Sequence, residues 1–456
     1  MAPESRLADA VPEPAREICR VLARAGRRGW VVGGCVRDLL RGEPVADWDV
    51  CTDARPEEVS RLFRRTIPTG IEHGTVTVLM DRQPFEVTTL RGEGAYSDGR
   101  RPGSVTFLTD LDADLARRDF TVNAIALDPL TGALSDPFGG ARDLERRLIR
   151  AVGDPRARFS EDGLRVLRAA RFVSTLEAAL DPATEAAIGQ TLDTFRKVSP
   201  ERVRDEWLKT MKARAPSASF DVMRRTGVLA VTCPELMESV GLEQNQWHAF
   251  DAWEHAMRCL DACPGGPILR VAALLHDVGK PRTRARSDKT GDYTFYEHER
   301  VGARMSDAIL SRLRFSNDDR ARVVELVKHH LICYDDAWSD AAVRRWLRRV
   351  GEGLTGDLWA LARADALAKG RPVDDELARL DRLSARVAGV LAAGQALSVR
   401  ALAVDGNDLI RELSMKPGRQ IGETLEALLQ AVLDDPAATD RARLRELARA
   451  MVAARA

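Results

Sequence analysis

Two aspartates, Asp47 and Asp49, stand two residues apart in the largely apolar stretch VADWDV (45–50). On a strand, successive side chains alternate faces, so both carboxylates would share one face and Ala46, Trp48 and Val50 the other. Adjacent carboxylates repel, so a positive charge belongs between them or the face opens to water. Just upstream, WVVGGCVRD (30–38) reads as a short strand, a Gly33-Gly34 turn and a helix start. Glycines let backbone N–H groups approach an anion, and a helix N-terminus adds partial positive charge. Arg37, about one turn in, can reach the same anion. Glu86, on the strand-like run FEVTTL (85–90), could join the aspartates from a neighbouring strand. Such oxygen donors suit Mg²⁺. A phosphate cradle with three carboxylates is the equipment for nucleotidyl transfer by two metal ions. One ion lowers the pKa of an attacking hydroxyl and the other steadies the departing pyrophosphate. An Asp-x-Asp pair alone is common on surface loops; the Gly-Gly-x-x-Arg before it gives it weight.

Holding these groups together calls for an α/β head. Residues 15–26 carry an amphipathic helix pattern. Strand-like segments lie at 48–51, 75–80 and 85–90, with Asp81-Arg82-Gln83 as a hairpin turn. A helix is expected over 56–63, with Pro56 in its first turn. FTVNAIALD (120–128) reads as another strand, while RGEGAYSDGRRPG (91–103) is too glycine-rich for a regular element. After about residue 155 strand signals nearly vanish, and the chain continues as helices. The class is therefore α+β: a small mixed sheet with helices, then an all-α remainder.

The 456 residues are 45% hydrophobic and 30% charged with a formal net charge of +0, so any nucleic-acid surface must be local. Seven dispersed cysteines without a CxxC pair read as reduced cytoplasmic thiols. The N-terminal residues lack a signal pattern, and no apolar run reaches the ~20 residues that cross a membrane.

VVGGCVRDLLRGEPVADWDV (31–50) resembles the signature of the class II tRNA nucleotidyltransferases. These are the CCA-adding enzymes, with bacterial poly(A) polymerases as close relatives, and they belong to the polymerase-beta-like nucleotidyltransferases. Further matches follow in order: EHGTVTVLM (72–80), FEVTTLRGEGAYSDGRRPGSVTF (85–107), LARRDFTVNAIALD (115–128), DPFGGARDLERRLIRAVGDP (136–155) and FSEDGLRVLRAARF (159–172). The resemblance implies that Asp47 and Asp49 hold catalytic Mg²⁺ with Glu86 as third acid. It implies that Gly33, Gly34 and Arg37 meet the incoming triphosphate, that Arg118 binds phosphate, and that Asp119 and Asn123 lie near the ribose. CTP, ATP and the tRNA 3′ end are the implied partners.

In SEDGLRVLRAARF (160–172), Ser160 reads as an N-cap with acids in the first turn. Asp162, Arg165, Arg168 and Arg171 recur every three residues, a polar stripe on one helix face. Salt bridges on a solvated face are the commonest reason for such a stripe. The resemblance implies instead that Asp162 and Arg165 read the base in place of a template, while Arg168 and Arg171 serve phosphate or position the reader. The resemblance also implies that the glycine-rich stretch, with Tyr96, Asp98, Arg100 and Arg101, matches the loop that family members adding the terminal A keep, which favours A-addition competence. It does not separate full CCA addition from addition of A alone or poly(A) synthesis.

Most of the seven histidines fall in the second half. His276-Asp277 follows the apolar helix ILRVAALL, with His255 upstream and Asp365 downstream. This order resembles the HD phosphohydrolases. His and Asp from separate helices can hold a divalent transition metal that activates water. His298 and the His329-His330 pair could support a second ion or a phosphate. The implied extra activity is a phosphodiesterase or phosphatase on phosphorylated or cyclic RNA ends, although HD domains also serve as scaffolds. The Arg-rich segment 341–351 is either a phosphate-contacting face or a half-buried helix, and 403–435 is either tRNA-facing or packing.

The expected organisation is an N-terminal helix (1–28), a nucleotidyltransferase head (29–155), a helical neck with the base-reading helix (156–240), an HD domain (241–370) and a helical tail (371–456). The expected activity is CCA addition to tRNA 3′ ends from CTP and ATP. Its rivals are an A-adding enzyme, a poly(A) polymerase, or an HD phosphohydrolase with an RNA-binding head.

Overall fold

The computed structural model describes residues 7–93, 105–394 and 396–454. Tyr96, Asp98, Arg100 and Arg101 lie outside them. The chain forms two compact units, residues 1–237 and 238–456.

A seven-stranded mixed sheet organises the first unit. It is built from β1 (Gly29–Val32), β2 (Asp49–Thr52), β3 (Thr66–Gly70), β4 (Thr75–Met80), β5 (Gln83–Thr89), β8 (Ala126–Leu127) and β9 (Leu134–Ser135), in the order β3-β4-β5-β2-β1-β8-β9. β6 (Arg91–Glu93) and β7 (Val105–Phe107) form a separate antiparallel pair. Alternation along the strands buries both faces. Val31, Val50, Val76 and Val87 pack with Ile18 and Leu22 of the helix Glu13–Arg24 and Val59 of the helix Pro56–Leu62. Trp30, Val32 and Cys51 point the other way, into a core with Leu90, Leu115 and Ala126. Each fully buried aliphatic side chain contributes roughly 1.5–3 kcal/mol. Asp81 and Arg82, at φ 49° and 67°, make the two-residue turn that closes β4 on β5.

Three local expectations change. β2 begins at Asp49, so Asp47 precedes the strand instead of sharing its pleat. The run 120–128 is not one strand: Thr121–Asn123 is a single 3-10 turn, and only Ala126–Leu127 joins the sheet. Asp119 causes this locally, its Oδ1 accepting from the Phe120 N–H and the Asn123 side-chain amide. Ser160 is not a cap. Asp154 followed by Pro155 is the stronger start signal, so the helix Pro155–Glu161 begins earlier and includes Ser160. The chain breaks at Asp162-Gly163 and resumes as the helix Leu164–Thr175, with Asp162 Oδ1 accepting from the Leu164 N–H.

The second unit is almost wholly helical. Helices Ala252–Ala262, Pro267–Leu275, His298–Arg312, Asn317–His329 and Thr355–Ala368 surround the buried histidines. Arg419–Asp434 and Arg441–Ala453 share a core of Leu428, Leu429, Val432, Leu433 and Leu444. In the helix Asp340–Val350, Arg344 donates to the Leu433 and Asp434 carbonyls, Arg345 pairs with Asp434, and Arg348 pairs with Glu426. Those three arginines are committed to packing, so the half-buried reading of 341–351 is the one that fits. Among the described residues, no helix is long and apolar enough to cross a membrane. All seven cysteines are free.

Candidate active site

Asp49 and Glu86 are partners in the parallel pairing of β2 with β5. Both therefore project from one face into a cavity of about 430 Å³. Asp114, Arg117, Arg118, Asp119, Asp162, Arg165, Arg168 and Arg202 complete its polar wall. Desolvation raises the Asp49 carboxyl above its ordinary range, Glu86 and Asp47 add to this, and Arg118 opposes it. Asp47 lies outside the lining, on irregular backbone. Two groups among the described residues bring three ligand atoms within 4.8 Å of one another, and both are at the histidines; the Asp47, Asp49 and Glu86 trio is not drawn that close. An all-oxygen donor set of mutually repelling carboxylates still fits a hard divalent cation such as Mg²⁺.

Gly33 sits at φ 82°, and a Cβ there would come within 2.8 Å of Arg118 Nη1. Glycine is thus required twice, by backbone conformation and by the close guanidinium. Arg118 also reaches Asp114 at 3.4 Å. Gly34 opens the short helix Gly34–Leu40. Arg37 donates to Asp38 and, at 2.8 Å, to Asn123 Oδ1, and like Gly33, Gly34 and Asn123 it does not line the cavity.

Asp119 is buried and joins two parts of the wall. Its Oδ2 accepts from Arg168 Nε at 2.7 Å. Burial opposes the charge, but Arg168 and the Asn123 amide pull the carboxyl down to about 2. Arg165 is also buried, donating to Glu161 at 2.5 Å and to the Arg158 and Arg117 carbonyls. Three of its five N–H groups are thereby used. Asp162 Oδ2 accepts from Arg202 Nη2 at 2.7 Å. Arg171 departs from the expected set: it turns to the buried Glu206 at 2.6 Å and does not line the cavity. The guanidinium groups of Arg37, Arg168 and Arg171 lie 5.5, 5.4 and 4.2 Å from the Phe172 ring centroid. Sequence reasoning missed Arg202, Glu161 and Glu206. Glu161, four residues before Arg165, was findable as an i,i+4 pair; the other two pairings span distant helices and left no local signal.

In the second unit the four expected ligands converge. His255 Nε2 lies 3.0 Å from Asp365 Oδ1 and 3.3 Å from Asp277 Oδ2, and His276 Nε2 lies 3.1 Å from Asp277 Oδ2. The other Asp277 oxygen faces His298 at 3.4 Å and His330 at 3.7 Å. Nδ1 of His276, His298 and His330 each meets a backbone carbonyl at 2.7–2.8 Å. With the proton placed there, each Nε2 lone pair points inward, the orientation a metal ligand needs. Burial disfavours charge on His276, yet Asp277 holds it well above the usual imidazole range, while burial pushes His330 down to about 3. A Cβ on Gly279 would fall 2.2 Å from the His298 carbonyl oxygen, so glycine there lets the His-Asp turn approach that helix. His329 points elsewhere, to Glu325 at 3.2 Å. Of the His329-His330 pair, only His330 joins the cluster. The N/O donor chemistry fits a divalent transition metal.

Residues 29–150 match the Poly A polymerase head domain, 179–239 the family described as "Probable RNA and SrmB- binding site of polymerase A", and 264–370 the HD domain. The chain is 35% identical to the CCA-adding enzyme of Geobacillus kaustophilus over 441 residues, 95% of each chain. The chain belongs to the tRNA nucleotidyltransferases. Another member, the A-adding tRNA nucleotidyltransferase of Deinococcus radiodurans, is 36% identical over 412 residues, 88% of this chain and 90% of that one. Against other curated relatives the chain spans about half their length: the CCA-adding enzyme of Lactobacillus johnsonii is 46% identical over 211 residues, 46% of this chain and 53% of that one. Among solved structures, the Bacillus stearothermophilus CCA-adding enzyme in complex with CTP matches with a TM-score of 0.71 and 29% identity, covering 95% of this chain and 94% of that one. The head, neck and HD architecture is thus that of tRNA nucleotidyltransferases.

Proposed function

We propose that the chain adds CCA to tRNA 3′ ends from CTP and ATP without a nucleic-acid template. The observation that carries this reading is one cavity lined by the acids Asp49 and Glu86, the cations Arg118 and Arg168, and the pair Asp162 and Arg165. Mg²⁺ held by Asp47, Asp49 and Glu86 would supply Lewis acidity to the attacking 3′-hydroxyl and the departing pyrophosphate. The chain's own residues do the rest. Arg118 offsets triphosphate charge, with Gly33, Gly34 and Arg37 shaping the turn behind it. Asp119 and Asn123 set the ribose edge. Asp162 accepts and Arg165 donates at the base edge, with Arg168 positioned by Asp119 and Arg171 steadying the helix through Glu206. In the reaction the hydroxyl oxygen bonds to the α-phosphorus, the bond to pyrophosphate breaks, and the hydroxyl proton leaves.

The five-part division of the chain, tRNA contacts from neck and tail, and a cytoplasmic setting belong to the same proposal. RNA affinity should fall with salt, since phosphate contacts dominate it. The deciding experiment extends tRNA transcripts ending at the discriminator base, at C and at CC. Completion of all three to CCA, then a stop, is expected. Extension of only the CC-ending transcript by one A would instead establish the A-adding reading, the activity for which the Deinococcus radiodurans relative is named. Unlimited A addition would indicate a poly(A) polymerase.

For the second unit we propose a divalent transition metal on His255, His276, Asp277 and Asp365, and hydrolysis of phosphorylated or cyclic RNA ends. Metal analysis should find less metal in His276→Ala than in the native protein; equal content would count against the site.

A further inference from the structure

In the cavity of the head, Asp49 and Glu86 suit a cation, Asp119 pairs with Arg168, and Asp162 pairs with Arg202. Asp114 lines the same cavity and has no part in that account. It is buried, 1% exposed, on the helix Leu111–Ala116. A buried carboxylate costs stability unless cations meet it, and one on the wall of a triphosphate site also repels the substrate. Two arginines answer both objections. From three and four residues further along the chain, Arg117 and Arg118 reach back to the same carboxylate. Oδ1 accepts from Arg117 Nε at 2.9 Å and from the Arg91 N–H at 3.1 Å, and Arg117 Nη2 lies 2.8 Å from it. Oδ2 faces Arg118 Nη2 at 3.4 Å. The two oxygens are therefore held unequally. Short bonds fix the first and set the plane of the carboxylate; the second is aimed at Arg118. That arginine is held loosely elsewhere: Nη1 donates to the Asn123 carbonyl at 3.5 Å, and Nε is buried with no hydrogen-bond partner among the described residues. Arg118 thus keeps donors for an anion in the cavity, and Asp114 restricts where they point.

We propose that Asp114 is a positioning residue for nucleotidyl transfer: anchored through Oδ1, it aims Arg118 through Oδ2 at the triphosphate of the incoming nucleotide. Without this carboxylate, the two neighbouring guanidinium groups repel each other and the more loosely held one swings away. The proposal rests on the reading that Arg118 binds triphosphate, and it adds the group that keeps Arg118 in place.

The test is a double-mutant cycle in the full-length chain, read by steady-state kinetics of nucleotide addition to a tRNA transcript. Asp114→Asn keeps one oxygen for Arg117 and the Arg91 N–H and turns an amide N–H toward Arg118. It should raise KM for CTP and ATP about tenfold, the scale of one charge-assisted hydrogen bond, and leave KM for tRNA unchanged. Inorganic tripolyphosphate as its Mg²⁺ complex, a probe without sugar or base, should weaken as a competitive inhibitor by the same factor. Arg118→Ala should raise KM for nucleotide by itself, and adding Asp114→Asn to it should raise KM no further. Additive effects of the two substitutions, or an unchanged nucleotide KM in Asp114→Asn, overturn the proposal while leaving Arg118 in its role. A native KM in Arg118→Ala overturns the reading of Arg118 and the proposal with it. Thermal unfolding shows whether each variant is folded. Should Asp114→Asn fail to fold, Asp114→Glu, which keeps the charge but shifts it by one methylene, takes its place in the cycle, and the same lack of additivity is required.

Discussion

Asp49 and Glu86 face each other across the one parallel pairing in the seven-stranded sheet. All its other pairings are antiparallel. The register sets two like charges side by side, an arrangement that costs stability unless a cation lies between them. Asp49→Asn should therefore abolish nucleotide incorporation while leaving metal-free thermal stability equal or slightly higher. Transcript extension and thermal unfolding in a chelator check the two halves. A large loss of stability would mean that the carboxylate is structural.

Gly33→Ala tests the turn. Its φ of 82° is strained for any other residue, and the new Cβ would press on Arg118. The cost should be about 1–3 kcal/mol of stability, with a raised KM for nucleotide from displacement of Arg118. Denaturant unfolding and steady-state kinetics separate the effects. A variant with native stability and native KM would contradict this account.

Arg202 fixes Asp162. Removing it in Arg202→Ala leaves Asp162 with its bond from the Leu164 N–H at 3.0 Å. Single-nucleotide incorporation with each of the four nucleotides should show about a tenfold fall in kcat/KM for CTP and ATP and more misincorporation of UTP and GTP. Arg202→Lys should recover part of the discrimination. Asp162→Ala should blur nucleotide choice further still. Unaltered selectivity in both alanine variants would remove Asp162 from base reading.

Asp119 sets an acid limit. Its folded-state pKa of about 2 lies below the ordinary 3.8. A depressed carboxyl stabilises the fold fully above the ordinary value, and that contribution is lost as pH falls through about 4 toward about 2. At neutral pH it is worth about 2 kcal/mol. Asp119→Asn should be less stable than native protein by about that amount at pH 7, with the gap closing near pH 2. A gap that stays constant across this range would show that the charge is not what matters.

Much of the site was legible because its signals are local. Asp49 and His276-Asp277 announce themselves through residue type and spacing, and Asp49 and Asp277 do line cavities, whereas Asp47, expected on the same strand face as Asp49, precedes the strand and lines none; the hairpin at Asp81-Arg82 sits where the alternation demanded it. Failures had two causes. Side chains overrode propensity where Asp119 drew 120–123 into a turn and where Asp154 captured the helix start from Ser160. Elsewhere a partner distant in sequence decided a side chain's direction. Arg171 turns to Glu206, and Arg344 to carbonyls 89 and 90 residues further along the chain. Neither could be read from a three-residue repeat or an Arg-rich run.

The Asp119 bond to Arg168 ties the segment that would hold the sugar to the helix that would face the base. An enzyme that copies no strand has no complementary partner to check its choice, so its accuracy rests on how little its own walls give way. With the proposed sugar and base surfaces braced through one carboxylate, an ill-fitting nucleotide would not be accommodated by moving either surface alone. Fidelity then becomes a matter of stiffness, and softening this joint should raise the error rate even where no group that touches the base has been changed.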